Sequence, residues 1–229
     1  MSTIRVMAAW ALVTAILVAA PALLAIQFDN TAGTNVWSTP SNWDTDQLPA
    51  DGDDVDIIGI NCNLSSGSGS AESVRVSNAI FTISANRVLT LDANGSQSGA
   101  RPGVLEITGN GTFNLTQGTV NGVTELRITN GNVTIAAGQS LTIGSLTAVS
   151  GMLTLGAGAP LTITDGNFDL SSGVTLVADV TSSLNLTTSQ AASIIDLDGA
   201  TAGNVSLAAN VAGTWLLDND MVCASLSVS

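Results

Sequence analysis

The side chains able to do chemistry in this chain are few, and their types narrow the chemistry before any fold is considered. The 229 residues include no His, no Lys and no Tyr. A Ser–His–Asp or Cys–His nucleophile is therefore impossible, and so is a His-ligated metal centre. A polysaccharide lyase would have only arginine as its strong base. The five arginines, Arg5, Arg75, Arg87, Arg101 and Arg127, are scattered along the chain. Arg127 shares an expected strand face with Glu106 and Asp169, a spacing that a surface ion pair explains. A glycosidase needs two carboxylates roughly 5 to 9.5 Å apart. Asp196 with Asp198, Asp218 with Asp220, and Asp165 with Asp169 have suitable sequence spacing, but each pair sits among small residues that suit turn-forming aspartate equally well. No catalytic residue is singled out.

The acidic run Asp44, Asp46, Asp51, Asp53 and Asp54 is the candidate metal site. Calcium takes six to eight oxygen ligands, and Asp-rich loops supply them. The spacing does not fit an EF-hand loop, which needs Glu at its twelfth position. Asp56 alternates with Val55 and Ile57 and is expected to face solvent. Calcium is the one cofactor the sequence suggests, and a solvated, turn-rich segment is the competing reading.

The elements that must carry these residues are short strands. From Val104 to Thr187 an apolar–polar–apolar triplet recurs, as in Leu105-Glu106-Ile107, Phe113-Asn114-Leu115, Leu126-Arg127-Ile128, Val133-Thr134-Ile135 and Leu141-Thr142-Ile143. It continues through Leu153-Thr154-Leu155, Leu161-Thr162-Ile163, Phe168-Asp169-Leu170, Val174-Thr175-Leu176 and Leu184-Asn185-Leu186. Such alternation buries the outer two side chains and exposes the middle one. Gly, Asn, Asp and Ser fill the gaps, as tight turns require. A longer period is nested in the short one. Thr134, Thr154 and Thr175 recur together, as do Thr142, Thr162 and Asn185, and Arg127, Thr147 and Asp169. Three strands in every 21 or so residues describe a right-handed, single-stranded parallel β-helix whose rungs stack about 4.8 Å apart. A β-sandwich would not require the longer period.

Three stretches make up the chain. Residues 1–25 carry Arg5 and then an apolar run that ends near Ala20-Pro21-Ala22, the pattern of a secretory signal peptide; the competing reading is a retained membrane anchor. Residues 26–54 form a Trp- and Asp-rich cap, because a solenoid must close its open first rung and Trp37 and Trp43 are bulky enough to do so. Residues 55–229 form the coil. Ser65–Ser70 and Asp92–Gly103 are small and polar and read as loops leaving a corner. A net charge of -13 argues against nucleic acid and against anionic membranes.

The run Trp37-Ser38-Thr39-Pro40-Ser41-Asn42-Trp43, followed by Pro49-Ala50-Asp51-Gly52-Asp53-Asp54-Val55-Asp56-Ile57, resembles the opening of secreted bacterial β-helix proteins of the pectin-lyase-like superfamily and of the G8 domain. The likeness covers about 25 residues and the repeat style behind them. It implies a secreted parallel β-helix. It says little about activity, since that group includes adhesins, surface proteins and enzymes acting on polysaccharides.

Cys62 and Cys223 lie near opposite ends of the expected coil. A disulfide needs Cα atoms within about 7 Å, so an internal bond is incompatible with a straight solenoid, whereas an intermolecular, head-to-tail bond is compatible. The Thr columns also invite an ice-binding reading, although only Thr162-Ile163-Thr164 supplies a paired row. Seven Asn-x-Ser/Thr sequons occur, at Asn63, Asn94, Asn110, Asn114, Asn132, Asn185 and Asn204. The expectation is a secreted, non-enzymatic structural or adhesive protein, able to assemble end to end, whose partners are copies of itself or extracellular glycans. No nucleic acid and, once the signal is cleaved, no membrane is expected. The alternative is a carbohydrate-active enzyme or polysaccharide-binding module of the pectin-lyase-like group.

Overall fold

A computed structural model describes residues 25–91, 101–164, 168–170, 173–188, 192–197, 200–209, 214–218 and 222–228. The signal segment falls outside these residues except for Ala25, as does most of the Asp92–Gly103 loop.

The triplets form strands. Leu105 and Ile107, Phe113 and Leu115, and Val133 and Ile135 are all fully buried, and the residue between each pair points outward. Every described strand pairing is parallel and joins a strand to its counterpart one turn along the chain, as in Leu105 to Leu126 to Leu146. The protein is a right-handed parallel β-helix with three faces. The first face stacks Asp54–Ile58, Ser73–Ser77, Val104–Thr108 and the leading halves of Glu125–Ile135 and Ser145–Leu155. The second stacks Cys62–Leu64, Ile80–Ile83, Thr112–Leu115, the trailing halves of the same two long strands, and Val174–Ala178. Following it in each turn, the third comprises Gly69–Ala71, Arg87–Leu91 and Gly118–Asn121, then Leu141–Ile143, Pro160–Ile163, Ser183–Thr188, Thr201–Ala209 and Val222–Val228. Phe168–Asp169, Ala192–Asp196 and Thr214–Asp218 form a separate three-stranded stack.

Asparagine makes the corner between the first and second faces. Asn78, Asn110 and Asn130 all adopt positive φ, a conformation Asn tolerates better than most residues. The backbone N–H of Asn110 donates to the carbonyl of Asn130 at 2.6 Å, and the Asn130 amide donates to the Asn110 side-chain oxygen at 3.2 Å. At Asn130-Gly131 the corner is tight enough that two expected strands run together as Glu125–Ile135. At Gly122 the chain has φ +75°, and an added Cβ would lie 2.0 Å from the Leu91 carbonyl oxygen, so only glycine fits.

Two sequence expectations change. Thr154 pairs with Val177, and Thr175 pairs with Met152, so Thr175, the third member expected for the Thr134–Thr154 column, is displaced by two residues. The cause is a longer connection, which sets Leu153 and Leu176 in register, 23 residues apart rather than 20. The Ser65–Ser70 stretch is only partly loop, because Gly69–Ala71 is a strand of the third face. A Cβ on Gly69 would come within 3.1 Å of both Trp37 and Leu89. Glycine there lets the strand lie against the cap.

The cap covers the first rung on all three faces. Ile26–Gln27 pairs with the first strand of face one, and Val36 bridges to Asn63 on face two. Ser38 meets Ser66 at 2.5 Å beside the start of face three. Trp37, Trp43 and Phe28 are fully or almost fully buried beneath it. Trp43 packs edge-on against both partners, with ring centroids 4.8 Å from Trp37 and 5.0 Å from Phe28. Its indole N–H donates to the Trp37 carbonyl at 2.8 Å, giving the buried ring's polar edge a partner. Trp37 stacks on Phe81, which continues to Phe113 along the core. Among the described residues, no helix is long and apolar enough to cross a membrane.

Candidate functional site

Strand alternation gives each face outward columns of side chains one rung apart, and those columns are the surfaces on which the protein can act. On the first face, register aligns Gln27, Asp56, Arg75, Glu106, Arg127 and Thr147. Acid and base alternate along this column. Arg75 donates from Nε to Asp56 Oδ1 at 2.9 Å and from its terminal nitrogen to Asp56 Oδ2. Arg101 reaches Glu106 at 2.9 Å, and Arg127 reaches Glu125 in the neighbouring column at 2.7 Å. Hydrogen bonding to Asp56 and to Glu125 raises the pKa values of Arg75 and Arg127, so neither is disposed to act as a base. The Arg127 hydrogen bond in turn lowers the Glu125 pKa, against a smaller opposing effect of burial and with help from the Thr147 hydroxyl at 2.6 Å.

The other two faces differ in kind. On the second, one outward column reads Asn63, Thr82, Asn114, Thr134, Thr154 and Val177, and the next reads Ile80, Thr112, Asn132, Met152 and Thr175. On the third, Ser70, Thr90 and Asn121 align, followed by Thr142, Thr162, Asn185, Ser206 and Ser227. None of these positions is ionisable. The sequence exposed the alternation but not this segregation, because register decides which middle residues share a column.

The expected metal ligands do not converge. Asp44 accepts from the Gln27 backbone N–H at 3.1 Å, and Asp53 accepts from that of Ala50 at 2.8 Å. Asp51 accepts from the Ser70 hydroxyl and Asp54 from the Ser73 hydroxyl, while Asp46 occupies a positive-φ turn. Four of the five carboxylates thus hold the cap to itself or to the first coils. Among the described residues, no three acidic or thiol groups are placed to hold a metal ion.

The cysteines occupy different surroundings. Cys62 is 2% exposed, and desolvation pushes its thiol pKa well up, so it is out of reach of a second molecule. Cys223 is partly exposed. From Cys62 the register runs through Phe81, Phe113, Val133 and Leu153 to Leu176, five steps or ~24 Å, with Cys223 on a later strand still. Both thiols are free. A head-to-tail Cys62–Cys223 bond between molecules would require the cap to open.

Of the expected carboxylate pairs, Asp165, Asp198 and Asp220 lie outside the described residues. Register instead stacks Asp169, Asp196 and Asp218 on successive strands, with Asp196 buried. Pairing along the sequence missed this column, which only rung-to-rung spacing brings together. The sequons have a similar structural origin. Asn114, Asn132, Asn185 and Asn204 point outward, the next residue points inward, and the following Thr or Ser returns outward. In this coil the sequon is simply the strand pattern written in Asn and Thr. No family model, curated protein or solved structure matches the chain.

Proposed function

We propose that this protein is an extracellular structural or adhesive solenoid that works without catalysis, its second and third faces making weak, repeated contacts with neutral glycans. One observation carries the reading: among the described residues, the outward columns from Asn63 to Val177 and from Ile80 to Thr175 on the second face, and from Ser70 to Ser227 on the third, hold no ionisable group, with Arg87 at the edge of the third face, although the chain has a net charge of -13. Hydroxyl and amide side chains both donate and accept, which suits sugar hydroxyls, and the absence of charge spares both partners a desolvation penalty. Export rests on the Arg5-led apolar segment.

The pectin-lyase-like resemblance keeps a carbohydrate-active enzyme as the second reading, and the backbone register that sets Asp169, Asp196 and Asp218 opposite one another on successive strands is the observation that favours it. Co-sedimentation with insoluble neutral polysaccharides, with reducing ends and unsaturated products assayed in the same tubes, separates the two. The expected result is binding without product, weakened about tenfold by Thr162→Asp with Asn185→Asp. Product release abolished by Asp196→Asn would replace the adhesive reading with the enzymatic one. Neither binding nor product would remove both.

A further inference from the structure

We infer that Asn121-Gly122 is a site of covalent modification, the described Asn-Gly pair at which the native protein loses ammonia and becomes aspartyl or isoaspartyl. The inference stands on backbone geometry and is independent of glycan binding. Asn-Gly pairs begin at Asn94, Asn110, Asn121 and Asn130, and as sequence they are equivalent. Asn94-Gly95 lies outside the described residues, and the structure separates the other three.

Two of the pairs are locked into the corner between the first and second faces. Asn110 and Asn130 adopt φ +64° and +56° there. The Asn110 N–H donates to the Asn130 carbonyl at 2.6 Å, which fixes the plane of the Asn130–Gly131 peptide. The Asn130 amide nitrogen is itself engaged, donating to the Asn110 side chain at 3.2 Å. The Gly111 N–H is committed to the Thr108 carbonyl at 2.7 Å. Both glycines are buried against the rung below: a Cβ on Gly111 would lie 2.5 Å from the Val76 carbonyl oxygen, and one on Gly131 2.7 Å from the Ile107 side chain. Neither pair can react without local opening of the ladder.

Asn121-Gly122 is placed differently. Asn121 ends the strand Gly118–Asn121, which is the edge of its three-stranded sheet, and both Asn121 and Gly122 are exposed. Among the described residues, no hydrogen bond holds the Asn121 amide or the Gly122 N–H. The turn that demands glycine, with φ +75° and the Leu91 carbonyl in the way of any Cβ, also leaves that nitrogen without a side chain to shield it.

The reaction needs only water. The Gly122 backbone nitrogen gives up its proton to solvent and attacks Cγ of Asn121. A C–N bond forms, the bond from Cγ to the amide nitrogen breaks, and ammonia leaves. Water then opens the resulting cyclic imide at either carbonyl, giving aspartate or isoaspartate. One water is consumed, one ammonia is released and one carboxylate remains, with no change of oxidation state. That carboxylate is the first ionised group in the column of Ser70, Thr90 and Asn121. Val120 and Val123 on either side are buried and keep the rung anchored.

Incubation of the native protein in warm, mildly alkaline buffer, followed by proteolysis and mass spectrometry with fragmentation, tests the inference. We expect the gain of about one mass unit to build up at Asn121 at least tenfold faster than at Asn110 or Asn130, and faster still as pH rises. In concentrated urea, where the corner ladder is gone, the three pairs should convert at similar rates. A native Asn121 that stays unmodified, or one matched by Asn110 or Asn130, would overturn the inference. A preference for Asn121 that survived in urea would also overturn it, because local sequence and not the fold would then be the cause.

Discussion

Cys62 and Cys223 have the same side chain and different chemistry, and the same dependence on position governs the charged residues. Cys62 is buried, in register with Phe81 on the next rung, where the thiolate is strongly disfavoured. The carboxylate of Glu125 is held the other way. The hydrogen bond from Arg127 lowers its folded-state pKa below the ordinary glutamate value. A depressed carboxylate pKa adds stability that is present at neutral pH and is lost as pH falls through the folded value. Glu125→Gln should therefore melt lower than the parent at pH 7, by an amount equivalent to about 1 kcal/mol or less, as expected for a surface pair. The gap should close once the solution is more acidic than the usual glutamate range. Thermal melts of both proteins at the two pH values check this, and a deficit that persisted in acid would mean that Glu125 acts through packing rather than charge.

At the scale of elements, the strands were legible and the connections less so. Triplets such as Leu105-Glu106-Ile107 announce themselves because period-two alternation has one physical meaning. Trp37 and Trp43 were recognisable as a cap because large rings are scarce here and occur where an open rung needs closing. Gly69–Ala71 escaped notice because Gly-Ser-Ala carries no alternation; its strand exists by virtue of neighbours 20 residues on, Leu89 to Leu91. The displaced Thr175 column and the Asp169–Asp196–Asp218 stack escaped because both depend on the lengths of connections, which composition does not encode. The cap is where these elements depend most on one side chain. Trp37 is fully buried, touches Trp43 and Phe81, and closes the core over Gly69. Trp37→Ala should cost about 3–5 kcal/mol, as large-ring deletions in a packed core do. Denaturant titration measures it, and a loss below about 1 kcal/mol would show that the cap is not integral to the coil.

Across the whole molecule the charges fall into two populations with opposite responses to salt. The alternating ladder on the first face is attractive, and salt weakens it; its described pairs are Arg75–Asp56, Arg101–Glu106 and Arg127–Glu125. The remaining acids repel one another, and salt relieves that repulsion. Against 18 acidic residues there are only five basic ones, so the ladder leaves most of the negative charge uncompensated. Each of these partly buried surface pairs is worth on the order of 1 kcal/mol, and the three together are outweighed by the self-repulsion of a chain at -13. The melting temperature should therefore rise with added sodium chloride, opposite to what a protein held mainly by ion pairs would show. Arg75→Gln separates the populations. Removing that guanidinium leaves Asp56 unneutralised two rungs from Glu106 in the same column, so the variant should melt lower at low salt and recover more steeply as salt is added. Melting curves of both proteins over a salt series decide the matter. A parent protein destabilised by salt would mean that the ladder, and not the excess of acid, dominates the electrostatics of the fold.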